Sequence, residues 1–209
     1  AAGKISNMEI ILMEILLLVI VAICCFFGRL PYNSLLILLI YIGVNIAYSI
    51  MLKNVEIVDI GLISLFYLIR IYYGAFIAHV KVSDWLFLTV LSGSLYLCTA
   101  KRYGELCLVS GKEKATRKVL AKYSKDYLST IKNVCLAIVI VCYSLWVIME
   151  RKEMFATIPI VYCVLFRYEY VVSVIKESNP VDVVLNDRWM NALVMIYVIV
   201  LIIMIGRNI

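Results

Sequence analysis

Charge is scarce in this 209-residue chain: Asp, Glu, Lys and Arg make up 16% of it, against about a quarter in an ordinary soluble domain. So few charges exclude an intrinsically disordered chain and leave no room for nucleic-acid binding as its main business. Histidine is nearly missing. His79 stands alone, and with no C-x-x-C pair no zinc set can be assembled. The cysteines at 24, 25, 98, 107, 135, 142 and 163 lie almost wholly inside apolar runs, so they read as small buried hydrophobes and not as disulfide partners. Nucleophile elbow, Walker loop, H-E-x-x-H helix and nucleophile–base pair are all missing too. That removes the candidates for covalent catalysis and leaves electrostatics and positioning at an anionic group.

What is abundant is apolar surface. Hydrophobic residues make up 65% of the chain and the mean hydropathy is +1.00. One soluble core of this size cannot hide that much, so repeated bilayer spans of about 20 residues are required. Apolar stretches run near 10–28, 32–52, 57–79, 84–100, 128–149, 154–175 and 189–206. They are too long and too continuous for barrel strands, which alternate over about ten residues. The expected fold is therefore an all-α polytopic transmembrane bundle of seven spans, forming one domain over 1–209. Arg29-Leu30-Pro31 and Ser178-Asn179-Pro180 punctuate it, and Pro31 falls where a helix can start. The first run is too long for a signal peptide and lacks a cleavage site.

Seven crossings divide the Lys and Arg residues unevenly. Thirteen fall on the side of the N-terminus and the loops near 53–56, 101–127 and 176–188, five fall opposite, and Arg70 and Arg167 lie within spans. The positive-inside rule places the richer side, and with it the N-terminus of this chain, in the cytoplasm. Ionisable groups inside spans are costly unless they face a partner or a cavity, and here they are Glu14, Asp59, Arg70, Arg167 and Glu169. Asp59, Phe66 and Arg70 share a helix face by spacing, so Asp59 and Arg70 are expected to look into one interior space. On the cytoplasmic side they are joined by Tyr48, Lys53, the run Lys101-Arg102-x-x-Glu105, and Asp182, Asp187 and Arg188. Lys101 and Glu105 stand at i, i+4 on one helix face. Two cations beside a carboxylate suit a phosphate or pyrophosphate, with or without a divalent ion. The basic stretch Lys112 to Lys125 reads as topology and attraction to anionic lipid.

At these residues the sequence resembles the UbiA superfamily of intramembrane prenyltransferases, most closely its phosphoribosyltransferase branch. The matching stretches are Ala1-Ala-Gly-Lys-Ile-Ser6, Asn45-Ile-Ala-Tyr48-Ser-Ile-Met-Leu-Lys53 with Val58-Asp59, Leu68-Ile-Arg70 with Gly74-Ala75, Lys101-Arg102-x-x-Glu105-Leu106, Phe166-Arg167-Tyr168, and Asn179-Pro180 leading to Asp187-Arg188. Their order and spacing agree along the whole chain. The resemblance implies an all-α bundle of nine helices, of which the seven spans correspond to the last seven. It also implies an active site facing the cytoplasm at the cell membrane. The implied reaction moves a 5-phosphoribosyl group from phosphoribosyl diphosphate to a decaprenyl-type polyprenyl phosphate, a cell-wall precursor lipid, with Mg²⁺ and release of pyrophosphate. By role, Lys101 and Arg102 would meet the donor's phosphates, and Glu105 would help to hold metal or ribose. Lys53 and Arg70 would meet donor or lipid phosphate, and Tyr48 a ribose hydroxyl or phosphate oxygen. Asp59 would orient Lys53 or Arg70, and Asp187 and Arg188 would belong to the substrate-binding loop.

The superfamily's first aspartate-rich motif, N-D-x-x-D-x-x-x-D, lies upstream of the segment that corresponds to Ala1. The expectation is therefore of a piece that lacks two helices and the main Mg²⁺ ligands and is inactive alone. Lys101-Arg102-x-x-Glu105 stands where aromatic prenyltransferases carry D-x-x-x-D, which favours the phosphoribosyl branch. Arg188-Trp189 stands where that branch carries Arg-Pro. Two alternatives remain: a UbiA-type enzyme using a polyprenyl diphosphate and an aromatic or glyceryl acceptor, and a non-catalytic transporter or assembly subunit.

Overall fold

The computed structural model describes residues 32–109, 118–175 and 179–206, together with Met8, Leu12, Met13, Leu16, Leu17, Val19 and Ile20. Seven α-helices occupy the continuous stretches, and no strand is present among the described residues. They are α1 (Tyr32–Ile50), α2 (Val58–Ile77), α3 (Asp84–Val109), α4 (Lys125–Glu150), α5 (Thr157–Tyr170), α6 (Pro180–Asn186) and α7 (Arg188–Gly206). Short 3₁₀ turns lie at Leu52–Asn54, Lys118–Lys122 and Lys152–Met154, and a π-helical turn over Val171–Ile175 continues α5.

Local chemistry fixes the ends. The Ser83 hydroxyl accepts from Leu86 N–H at the start of α3, Ser124 from Tyr127 N–H at the start of α4, and Asp187 from Met190 N–H at the start of α7. Each satisfies a donor that a helix start would otherwise leave orphaned. Pro159 and Pro180 both sit in first turns, where a missing N–H costs nothing.

α2, α3 and α4 are long antiparallel neighbours, and the α3–α4 interface is the most extensive among the described residues. Small residues on α3 allow it. Ser92 and Ser94 are buried, Ala100 is fully buried, and a Cβ on Gly93 would meet Val139 Cγ2 at 3.4 Å. Such small surfaces let helix backbones approach in lipid, where no hydrophobic drive brings them together. The hydroxyls of Thr89, Ser92, Ser94 and Thr99 bond back to carbonyls of their own helix, so none is left unsatisfied. On α4 the buried stripe Leu128, Lys132, Cys135, Val139, Cys142 and Val147 repeats at helical spacing, while Val134, Ile138 and Val141 are exposed on the apolar outside. α5 and α7 pack together, and the π-helical turn lies against α3.

Three helices, α2, α4 and α5 with its π-helical turn, are long and apolar enough to cross a membrane, and the pair α6–α7, bent through 90°, passes the same test when taken as one span. α1 is apolar over the shorter segment Ser34–Ile50. The expected span over 10–28, including Glu14, lies mostly outside the described residues. Two sequence expectations need correcting. The stretch 101–127 is not a loop from its first residue, because α3 runs on to Val109. Arg102 and Gly104 are buried there, so the helix continues against protein where hydropathy registers only loss of lipid solubility. The connection near 176–188 likewise contains α6.

Lys132 belongs to the core and not to a basic loop. Only 1% exposed, it bonds to the Glu169 carboxylate and to Ser173 Oγ at 2.9 Å, and sits 4.6 Å from the centre of the Tyr103 ring. The Tyr96 hydroxyl donates to the other Glu169 oxygen at 3.0 Å. Ser173 lies within the π-helical turn, so this polar knot ties α3, α4 and α5 together at that irregularity. Lys132→Ala leaves the Glu169 carboxylate without its counter-charge and is expected to cost about 3 kcal/mol. Thermal unfolding of the purified protein in detergent measures it, and Lys132→Met combined with Glu169→Gln should recover part of the loss.

Candidate functional site

The start of α2 carries an unusual turn. Ile57 takes φ 64° and ψ −41°, and Val58 N–H bonds to the Glu56 carbonyl at 2.6 Å. This is a γ-turn of the strained hand, centred on a β-branched residue, a conformation that costs about 1–3 kcal/mol. It delivers Asp59 into the first turn of α2, where the helix dipole favours an acid, and buries it completely.

Asp59 is fully engaged. Its Oδ2 accepts from Arg102 Nε at 2.8 Å and its Oδ1 from the Tyr123 hydroxyl at 2.9 Å. Arg102, 2% exposed, reaches across from α3 and also donates through Nη1 to Glu105 Oε2 at 2.8 Å. The Tyr123 hydroxyl in turn accepts from Ile57 N–H at 2.6 Å. Burial above all, with the bond to Asp59, pushes that hydroxyl's pKa up to about 12, so it remains a donor at neutral pH. At the surface nearby, Lys122 pairs with Glu56 at 2.6 Å and holds that carboxyl below its ordinary value. This small contribution is present above the ordinary Glu pKa and is lost as pH falls through the lowered one.

Beside the network lies a cavity of about 270 Å³ lined by Ile63, Tyr67, Leu97, Cys98, Lys101, Arg102 and Asn179–Val181. Lys101 lines it and has no ion-pair partner among the described residues. Glu105 therefore pairs with Arg102 at i, i+3 and not with Lys101. With Asp59, Arg102, Glu105 and Lys101 together, two acids balance two bases.

Asp59, Lys101, Arg102 and Glu105 are thus brought to one place, while the other sequence candidates are distributed around it. Asp59's partner is Arg102, and not Lys53 or Arg70. Lys53 is exposed in the 3₁₀ turn after α1. Arg70 lies eleven residues further along α2, about 16 Å away at 1.5 Å per residue. There it donates to the Tyr41 hydroxyl at 3.0 and 2.7 Å and rests on the Tyr41 and Tyr67 rings, each centred 5.7 Å away. Tyr67 is shared, since it also lines the cavity. Tyr48 is half-buried and edge-on to Phe66 at 5.9 Å. Asp187 takes both Nε and Nη2 of Arg167, at 3.1 and 2.6 Å, and Arg188 is exposed at the start of α7. No group of three His, Cys, Asp or Glu side chains comes together among the described residues. Each Asp59 oxygen and one Glu105 oxygen already accept a hydrogen bond.

Tyr123 and Lys132 are the residues that sequence reasoning missed. Nothing local marks Tyr123, whose partner is 64 positions away. Lys132 was findable, because it falls on the spacing of the buried α4 stripe. Asp59→Ala, which strips a buried guanidinium of its main counter-charge, is expected to destabilise the protein by about 3 kcal/mol. Lys122→Ala, at the exposed pair, should leave the melting midpoint unchanged. Thermal unfolding of both variants in detergent tests the contrast.

No family model matches the chain. Individual proteins do. A decaprenyl-phosphate phosphoribosyltransferase of Mycobacterium tuberculosis is 31% identical over 171 residues, covering 79% of this chain and 56% of that protein. One from Mycolicibacterium smegmatis is 34% identical over 114 residues, covering 54% and 36%, and one from Corynebacterium glutamicum is 26% identical over 167 residues, covering 76% and 50%. The chain spans about half the length of the curated relatives it matches. Over most of its own length, the chain is a homologue of proteins named decaprenyl-phosphate phosphoribosyltransferase.

Proposed function

We propose that this chain carries the donor-binding part of an intramembrane transferase that moves a 5-phosphoribosyl group from phosphoribosyl diphosphate to a polyprenyl phosphate. The observation that carries the reading is the pairing of Lys101 and Arg102 on an otherwise largely apolar cavity at the basic end of the bundle, in a chain homologous to proteins of that name. A phosphate-bearing donor needs cations, a lipid acceptor needs an apolar surround, and this place offers both.

In the proposed step an oxygen of the lipid phosphate attacks the anomeric carbon of the donor. The bond from that carbon to the diphosphate breaks, and the electron pair leaves with pyrophosphate. Charge therefore grows on the departing diphosphate, and fixed cations lower the barrier by meeting it there. Lys101 is the mobile point charge for that task. Arg102 is planar and already oriented by two carboxylates, so little freedom is lost when it turns a remaining edge to a phosphate oxygen. Asp59 serves the arginine and not the substrate. Exposed Lys53 and Arg188 belong to the same basic end and would meet the donor on approach.

The test uses membranes that contain the intact protein, labelled phosphoribosyl diphosphate and polyprenyl phosphate, with and without Mg²⁺, and counts label entering the organic phase. Lys101→Ala should lower turnover about a hundredfold or more, the usual cost of removing one transition-state contact. A near-normal rate removes Lys101 from the site. Transfer from a polyprenyl diphosphate to an aromatic acceptor, in place of phosphoribosyl transfer, would overturn the reading. We also propose that the basic end faces the cytoplasm, a reading the Lys/Arg asymmetry supports. Since the donor does not cross membranes, inverted vesicles should turn over and sealed right-side-out vesicles should not.

A further inference from the structure

Two segments far apart in sequence meet behind Arg102, which lines the donor cavity. One is the γ-turn at Glu56–Val58 with Asp59, and the other is the Lys118–Lys122 turn with Tyr123. They are joined three times: Lys122 to Glu56, Tyr123 Oη to Ile57 N–H, and Tyr123 Oη to Asp59 Oδ1. The inner two bonds share one oxygen. That hydroxyl therefore holds both the strained backbone that presents Asp59 and the carboxylate itself, whose other oxygen sets Arg102. Beneath them Val119, Leu120 and Leu128 are fully buried, and the Tyr123 ring is stacked on Tyr127 at 6.1 Å. The ring's place is fixed by packing, and its oxygen is left to do the orienting.

We propose that Tyr123 is a positioning residue for the donor site, clamping the Asp59 carboxylate so that the Arg102 guanidinium is held in one orientation at the cavity wall. The inference rests on the transferase reading above. It concerns a residue that touches neither substrate nor cavity. Asp59 with one anchor can rotate about its side chain, which leaves Glu105 as the one fixed carboxylate on Arg102. With two anchors at 2.8 and 2.9 Å on opposite oxygens, the carboxylate plane is fixed. A guanidinium binds phosphate well only when its flat edge is presented in register, so freedom gained at Asp59 is lost in donor affinity.

Tyr123→Phe separates the two roles, since it keeps the packed ring and removes only the oxygen. In membranes carrying the intact protein, the variant should raise the KM for phosphoribosyl diphosphate about tenfold, the cost of one bond to a charged partner. The KM for polyprenyl phosphate should move less than about twofold. Asp59→Asn should raise the donor KM as well, and the double variant should be no worse than Asp59→Asn alone, because both act on one linkage. A donor KM for Tyr123→Phe within about twofold of wild type, or losses that multiply in the double variant, overturns the proposal. Wild-type membranes that transfer no phosphoribosyl group overturn the functional reading instead. The linkage is then read from the melting midpoints of the same three variants: additive shifts reject it, and non-additive shifts uphold it.

Discussion

A carboxylate without solvent contact persists as an ion only when its surroundings replace water, and Asp59 is such a group. Arg102, Tyr123 and the first turn of α2 supply the replacement. Much of this end of the molecule follows from that requirement. The strained turn at Ile57 brings Asp59 to its place, the extension of α3 past the apolar stretch carries Arg102 to meet it, and the segment before α4 folds back to deliver a hydroxyl. Removing any one of the three leaves a buried charge or a buried donor unmet. The three segments therefore stand or fall together, although the turn at Ile57 is far in sequence from the other two.

The rest of the bundle obeys the same rule with different chemistry. Hydroxyls on α3 turn inward to their own helix, and the Lys132–Glu169–Ser173 knot closes around a π-helical turn. Arg167 and Asp187 neutralise each other where α6 bends into α7. In a setting where water cannot compensate, each polar group is assigned a partner. Among the described residues Tyr168 is the departure: its hydroxyl is buried without a hydrogen-bond partner.

Legibility in the sequence divided along physical lines. The all-α bundle was readable because a lipid-facing helix must be apolar for most of its length, and α2, α4 and α5 are. The far end of α3 was not, because hydropathy measures transfer into lipid, and Arg102 and Gly104 are buried against protein. Lys101, Arg102 and Glu105 were recognisable as a group from their types and spacing. Their pairing was not: Lys101 and Glu105 had the favourable i, i+4 spacing, yet a long-range carboxylate, Asp59, draws Arg102 inward and Glu105 follows Arg102. Asp59 and Arg70 share a helix face by arithmetic, but distance along the axis separates them. Angular periodicity says which way a residue points and nothing about depth. α6 escaped notice because seven residues are too few for a periodic signal.

The balance of two acids and two bases in the group Asp59, Lys101, Arg102 and Glu105 has an energetic consequence for any anion that meets it. A site with surplus positive charge attracts anions from a distance and releases them readily as salt rises. The balanced group itself adds little long-range pull to that of the exposed lysines and arginines at the same end. Its recognition comes from short contacts made after arrival, from the orientation of one guanidinium edge and one ammonium, and these are only weakly screened. Such a site discriminates by shape and hydrogen-bond geometry more than by charge.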